Sequence, residues 1–178
     1  MKTTKKMGIV FFLGALGVLT VPSLLLTGCH PAALVVPSYI QTVGVDLVQN
    51  KTSYFGIDTL FTESLIHNFQ MDGRLPLEDA SKSDLQIKVV IQKYDKIPVL
   101  NDPKTNAVLQ YQLSITYDLA AIDQKEKKTF VEETGKIHSY YYYTPQYIGA
   151  VNQTEDQAVS QLADDMSHNI VRRVLEGY

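Results

Sequence analysis

Apolar residues recur along this chain with two different periods, and the changes of period lay out its elements. Val43, Val45 and Leu47 alternate with Gly44 and Asp46, which predicts a strand over 39–48. A polar turn, Gln49-Asn50-Lys51-Thr52-Ser53, follows. The spacing then becomes four: Ile57, Phe61, Leu65 and Phe69, widened by Leu60 and Ile66, predict a helix over 56–71 with one face buried. Gly73 suits its C-terminal cap. A short strand is expected over 74–77 and a loop over 78–83. Period two returns over 84–97, where Leu85, Ile87, Val89 and Ile91 oppose Gln86, Lys88 and Gln92. Two prolines, Asn101 and Asp102 mark a turn region over 98–105. The cleanest alternation lies over 107–122, from Leu109 through Tyr111, Leu113, Ile115 and Tyr117 to Leu119. Unbroken, that strand would reach ~50 Å at ~3.3 Å per residue, so a bulge or bend is expected. A charged turn over 123–128 leads to a less regular strand over 129–142, of the kind found at a sheet edge. After a loop over 144–153, Thr154 and Gln157 have capping-box spacing. The closing helix, 155–176, carries Val159, Leu162, Ala163, Met166, Ile170 and Val174 on one face, and Gly177 ends it. The order predicts an α+β fold, a two-layer sandwich. A mostly antiparallel sheet carries two helices packed on one face, with a long central hairpin. Its other face, rich in Gln, Ser, Thr and Lys, is expected to stay wet.

The first 28 residues follow a different logic. Lys2, Lys5 and Lys6 precede a run of twenty mostly apolar residues, Met7 to Leu26. This is the secretory signal pattern. Leu26-Thr27-Gly28-Cys29 closes it with the single cysteine of the chain, and resembles the lipobox of bacterial lipoproteins. The competing interpretation, a transmembrane anchor, is weakened by Gly14, Gly17 and Pro22 and by the lack of a basic cluster after the run. The lipobox resemblance implies cleavage before Cys29, diacylglycerol on its sulfur and an acyl chain on the new amine. It also implies the outer membrane rather than inner-membrane retention, because His30 and not Asp follows the cysteine. The division is therefore 1–28 signal peptide, 29–38 tether, and 39–178 one domain.

Composition then narrows the function classes. Removal of 1–28 leaves 150 of the 178 residues, enough for one sizeable core. The full chain stands at −3, and the signal removes three lysines and no acid, so the remainder is near −6. That disfavours nucleic acid as a partner. With Cys29 lipidated no thiol is left for a disulfide, a nucleophile or a metal site. His30, His67, His138 and His168 have no metal-binding spacing, and neither a Gly-x-Ser-x-Gly nor a phosphate loop occurs. An enzyme is not expected, nor a cofactor beyond the lipid on Cys29. Asp164-Asp165 are expected on a solvated helix face. Asn50-Lys51-Thr52 and Asn152-Gln153-Thr154 read as a turn and a cap. Two features suggest contact surfaces. Tyr140-Tyr141-Tyr142-Tyr143, with Tyr147, is either alternating sheet packing or an interface patch, since tyrosine is enriched at interfaces. Lys88, Lys93 and Lys96 are either solvated strand lysines or phosphate contacts.

Several stretches in order carry a family likeness. They are Val43-Gly44-Val45 leading to Asn50-Lys51-Thr52, then Leu60-Phe61-Thr62-Glu63-Ser64-Leu65 and Gly73-Arg74. Ser83-Asp84-Leu85 opens the long strand, Tyr111-Gln112-Leu113 to Ile122-Asp123 fills the next, and the helix from Ala158 to Tyr178 closes the chain. Together with the lipobox they resemble the LptE family of lipopolysaccharide-assembly lipoproteins. The resemblance implies a non-enzymatic protein on the periplasmic side of the outer membrane. Its implied partners are the β-barrel LptD, which it plugs, and lipopolysaccharide. A strand, an Asn-x-Thr turn, a helix and Gly-Arg also resemble LpoB-like activators of peptidoglycan synthases, although that class tends to alternate strands and helices.

Overall fold

The computed structural model describes residues 35–177. The expected signal peptide, the lipid attachment expected at Cys29, and His30 lie outside the described residues. Within them an open five-stranded sheet, in the order β1-β3-β4-β5 with β2 also paired to β3, carries two helices. The fold is α+β, with a mixed sheet: β1 and β2 run parallel to β3, and β3, β4 and β5 are antiparallel neighbours.

The expected first strand is two short ones, β1 (Val43–Val45) and β2 (Gln49–Asn50). Between them the chain turns toward the helix layer. The backbone N–H of Val48 donates to the Thr62 hydroxyl at 2.9 Å, and the Val48 side chain is buried. The turn after β2 is wound on Asn50, whose side-chain oxygen accepts from the Thr52 N–H and hydroxyl, each at 2.8 Å. Helix α1 (Ile57–Asp72) buries Ile57, Phe61, Leu65 and Phe69, the expected stripe, and ends on Gly73 in the left-handed conformation at φ 68. The expected strand at 74–77 reduces to a single bridge between Leu77 and Val43.

Strand β3 (Leu85–Asn101) continues past Ile97, through Pro98. Its parallel neighbours end at Ile91, so at Pro98 it is an edge strand, where a residue without an N–H is tolerated. Strands β4 (Val108–Asp123) and β5 (Lys128–Tyr143) complete the antiparallel part, with β5 at the edge. The bulge expected in the 107–122 strand occurs in β4 only near its start, between Val108 and Gln110; the other extra residues lie in its neighbours, in β3 after Ile91 and after Pro98, and in β5 opposite the steps from Tyr117 to Leu119 and from Ala121 to Ile122. At ~3.3 Å per residue the 17 residues of β3 span ~55 Å. Beyond Asp95 its residues are exposed, so the hairpin stands out from the core.

Helix α2 (Glu155–Glu176) begins with the capping box: the Gln157 N–H donates to the Thr154 hydroxyl, and the Thr154 N–H to the Gln157 side chain. Asn68 of α1 donates to Asp164 of α2 at 2.8 Å. Tyr54, just before α1, reaches Asp156 at the start of α2. Arg74, just after α1, pairs with Glu176 at the end of α2. The helices therefore run parallel to each other. Leu162, Ala163, Met166 and Ile170 of α2 join the α1 stripe and the inner residues of β3 and β4 in one core. Residues 35–38 are already docked: the Val35 N–H donates to the Leu175 carbonyl at 2.9 Å, and Val36 is buried.

Candidate functional site

The three lysines singled out from the sequence do not form one cluster. Lys88 pairs across the sheet with Ala120, and Lys93 with Thr116, both on the face away from the helices. The register shift after Ile91 adds a residue to β3, and a one-residue slip exchanges the faces. Tyr94 therefore pairs with Ile115 and Lys96 with Leu113, two core residues, and both point to the helix side. Each lysine has an acidic partner: Asp46 lies 3.9 Å from Lys88, Asp95 2.8 Å from Lys93 and Glu155 2.5 Å from Lys96.

The tyrosine run splits in the same way. Tyr140 pairs with Leu113 and Tyr142 with Tyr111, on the helix side. Tyr142 is buried, its ring stacks 5.7 Å from that of Tyr111, and the Tyr140 hydroxyl donates to Gln153 at 3.2 Å. Tyr141 and Tyr143 face outward beside Gln112 and Gln110. Tyr141 is 53% exposed, and Tyr143 stacks on Tyr147 with centroids 4.7 Å apart.

A clasp that the sequence did not reveal joins the hairpin to the start of α2. The Glu155 carboxylate accepts from the Tyr94 hydroxyl at 2.9 Å and pairs with Lys96. Lys96 also lies 4.4 Å above the Tyr111 ring, and Tyr54 packs on Tyr94 at 4.7 Å. Burial pushes the Glu155 carboxyl up, but the hydrogen bonds from Lys96 and Tyr94 outweigh it and hold its pKa below the usual carboxylate value. Burial, then the bond to Glu155, pushes the Tyr94 phenol well up, so it stays a protonated donor. The sequence shows Glu155 only as an acid at a helix N-terminus; its partners lie 59 and 61 residues away.

Beyond the clasp, the outer face of the hairpin is ordered in cross-strand rows. Ile97, Gln112 and Tyr141 form one row, and Asp95, Ser114 and Ser139 the next. The Ser114 and Ser139 hydroxyls are 2.8 Å apart. Lys93, Thr116 and Ile137 follow. Every β4 member of these rows is polar, and the flanking strands mix the apolar Ile97, Tyr141 and Ile137 with the polar Asp95, Lys93 and Ser139, so this surface offers hydrogen-bonding groups with scattered apolar contacts. A second exposed apolar group, Phe55 beside Leu47, stands on the turn before α1, where Phe55 is 98% exposed. Its signal in the sequence is a phenylalanine between a polar turn and Gly56, left off the helical stripe.

His67, His138 and His168 lie on α1, β5 and α2. Among the described residues, no group of three or more His, Cys, Asp or Glu is placed to hold a metal ion. Asp164 and Asp165 take hydrogen bonds from Asn68 and Gln161 along the helix surface. The arrangement offers binding surfaces.

The family model for LptE, lipopolysaccharide-assembly, matches residues 40–174. No curated protein sequence matches the chain. Among solved structures, a hypothetical protein from Chlamydia trachomatis superposes with a TM-score of 0.54 at 14% identity, covering 78% of this chain and 97% of that one. It shares the fold. A minor lipoprotein from Acinetobacter baumannii gives a TM-score of 0.47 at 16% identity, covering 76% of this chain and 93% of its own.

Proposed function

We propose, from the premise that this chain belongs to the LptE lipopolysaccharide-assembly family, that it is a lipid-anchored plug of an outer-membrane β-barrel. Membership places the protein in lipopolysaccharide assembly. The finer reading is that Cys29 carries diacylglycerol and an N-acyl chain, and that these hold the domain on the periplasmic side of the outer membrane. The domain there binds an LptD-like barrel, without catalysis of its own, and assists delivery of lipopolysaccharide.

The observation that carries this reading is the extent of the family match, which runs from Ile40 to Val174 and so includes every strand and helix up to the last residues of α2. The physical features support it. Large barrels have polar interiors, and the helix-free sheet face presents Gln110, Gln112, Ser114, Thr116 and Lys93. Three consecutive antiparallel strands give a long hairpin, unlike the alternating strands and helices of the LpoB-like class. Basic contacts with lipid A phosphates would be local, since the chain outside the signal is near −6.

The test is an affinity pull-down of the tagged full-length lipoprotein from detergent-solubilised outer membranes, identified by mass spectrometry. A stoichiometric large β-barrel that stays bound in high salt is the expected result. Recovery of a peptidoglycan synthase without a barrel would sink the plug reading.

A further inference from the structure

We propose that the groove between the β5 bulge and the last turns of α2 binds the phosphate headgroup of an anionic phospholipid, in the membrane that holds the Cys29 anchor. The proposal rests on the lipoprotein reading above but concerns the helix side of the domain, not the open sheet face.

The groove encloses about 580 Å³ between Tyr117, Glu133, Lys136, Asn169, Arg172 and Arg173. Its floor is made by the bulge. Tyr117 pairs with Lys136 while Leu119, two residues on, pairs with Glu133 three residues back. The extra residue turns both Glu133 and Lys136 to the helix side, with Gly135 at φ 64 making the kink. There they meet the basic end of α2.

The charge balance favours an anion. Three cations line the groove against one carboxylate. Glu133 lies 2.6 Å from Arg173 and 3.4 Å from Lys136, so one negative charge serves two positive ones. Arg172 lies 3.5 Å from Glu176, a carboxylate that it shares with Arg74. The Lys136 and Arg172 side chains stay 52% and 49% exposed and can turn to a ligand. A guanidinium and an ammonium offer phosphate oxygens the donors they prefer, and the Asn169 amide and Tyr117 phenol add neutral ones. Burial raises the pKa of that phenol, so it keeps its proton.

Position selects a membrane lipid as the source. Gly177 lines the groove, and a Cβ built on it would stand 3.5 Å from Val35. Val35 is bonded to Leu175, so the groove lies at the end where the chain enters the domain. Cys29 precedes Val35 by six residues, a span of at most ~20 Å. Lipids around the acyl chains of Cys29 are therefore within reach of Lys136 and Arg172.

The test is native mass spectrometry of the full-length protein, purified with its anchor in detergent, against equal amounts of phosphatidylglycerol and phosphatidylcholine. A parallel sample receives inorganic phosphate. The wild type is expected to retain phosphatidylglycerol about thirtyfold over phosphatidylcholine, the scale of preference two basic side chains give on an anionic lipid surface. Lys136→Glu with Arg172→Glu should abolish the preference, as should the milder Lys136→Gln with Arg172→Gln. Lys104→Glu, at the hairpin tip, should leave it intact. Equal retention of the two lipids, or an unchanged preference in both double variants, overturns the site. Adducts of inorganic phosphate that displace the lipid overturn a lipid as occupant. The same spectrum weighs the acyl groups on Cys29. A protein without them overturns the membrane premise, and that failure is read separately from failure of the groove.

Discussion

Replacing Gly44 by alanine tests whether the start of the sheet is as closely packed as it stands here. Gly44 is the central residue of β1, paired with Gln86 of β3, and the 78–83 loop crosses directly over it. An ideal Cβ on Gly44 would lie 2.5 Å from the Ala80 Cα, 2.6 Å from the Ser83 Oγ and 2.9 Å from the Ala80 N. Carbon atoms in contact sit ~3.5–4 Å apart, so the loop must retreat by about 1 Å. It is poorly able to do so. The Glu78 N–H is bonded to the Val43 carbonyl at 2.9 Å and the Ser83 N–H to the Asp79 carbonyl at 2.9 Å. The buried Ser83 hydroxyl donates to the Leu85 carbonyl at 3.1 Å. Inserting a carbon into a packed site costs about 1–3 kcal/mol, and a loop fixed at both ends puts Gly44→Ala near the upper figure. Alanine recovers about 0.5–1 kcal/mol, because glycine is itself costly within a strand. The net loss is about 2 kcal/mol, or a fall in Tm of about 4–8 °C for a domain of this size. Circular dichroism during thermal unfolding, with urea melts at the same protein concentration, reads both numbers. Gly135→Ala is the control. Its Cβ meets nothing within 4 Å, so only its left-handed φ of 64 is penalised, by about 1–2 kcal/mol. A Gly44→Ala protein as stable as wild type would refute the claim that the 78–83 loop is locked onto β1.

Three further outcomes follow from the packing and the clasp. Phe61, fully buried on α1, should cost about 3–5 kcal/mol as Phe61→Ala, read as a lower urea midpoint. Ser167 of α2 is buried with a hydroxyl that has no partner, so Ser167→Ala should raise stability by about 1 kcal/mol with an unchanged m-value. The clasp makes the hairpin pH-dependent at its base. Glu155 has a pKa below its ordinary 4.5, so its contribution is present above that value and is lost as pH falls through the depressed folded pKa. Amide hydrogen exchange along 94–98 should therefore quicken in acid in the wild type, whereas Glu155→Gln should show faster exchange already at neutral pH and a weaker acid effect.

The helices were legible because their signals are local. Four-residue spacing marks the α1 stripe, and the Thr154 and Gln157 pair with Gly177 marks both ends of α2. Alternation likewise marks β4, whose inner residues from Leu113 to Ala121 are buried in strict succession. The less legible parts are those in which the period changes inside an element. Lys93 and Lys96 differ by an odd number, so strict alternation puts them on opposite faces, but it puts Lys93 on the face of Leu85 and Lys96 on that of Lys88. The extra residue after Ile91 reverses both assignments. No propensity marks that position, because the bulge is set by how β3 must meet β4. Pro98 misled for a related reason: a proline reads as a strand end unless the strand is known to be at an edge, and edge status depends on β2 having stopped at Asn50, opposite Ile91.

The candidate surfaces were only half visible for the same reason. Each is made where a bulge breaks the regular ladder. The shift after Ile91 turns Tyr94 and Lys96 inward to Glu155. The shift at Gly135 turns Glu133 and Lys136 together toward Arg173. A bulge re-aims the side chains on one side of it without moving the core residues on the other. A family can thus keep its inner alternation, which holds the fold, while changing what it presents to partners. The sequence pattern of such a protein reports its core and its family, whereas its contact chemistry resides in the register. Moving one bulge by a residue, as by deleting Gln92, should therefore leave β4 and the helices folded but exchange the faces of Tyr94 and Lys96 and break the clasp. Faster amine-directed labelling of Lys96 once it leaves Glu155, with retained far-ultraviolet circular dichroism, is the expected result. Unaltered labelling would show that the hairpin's facing is set by the helix layer and not by the bulge.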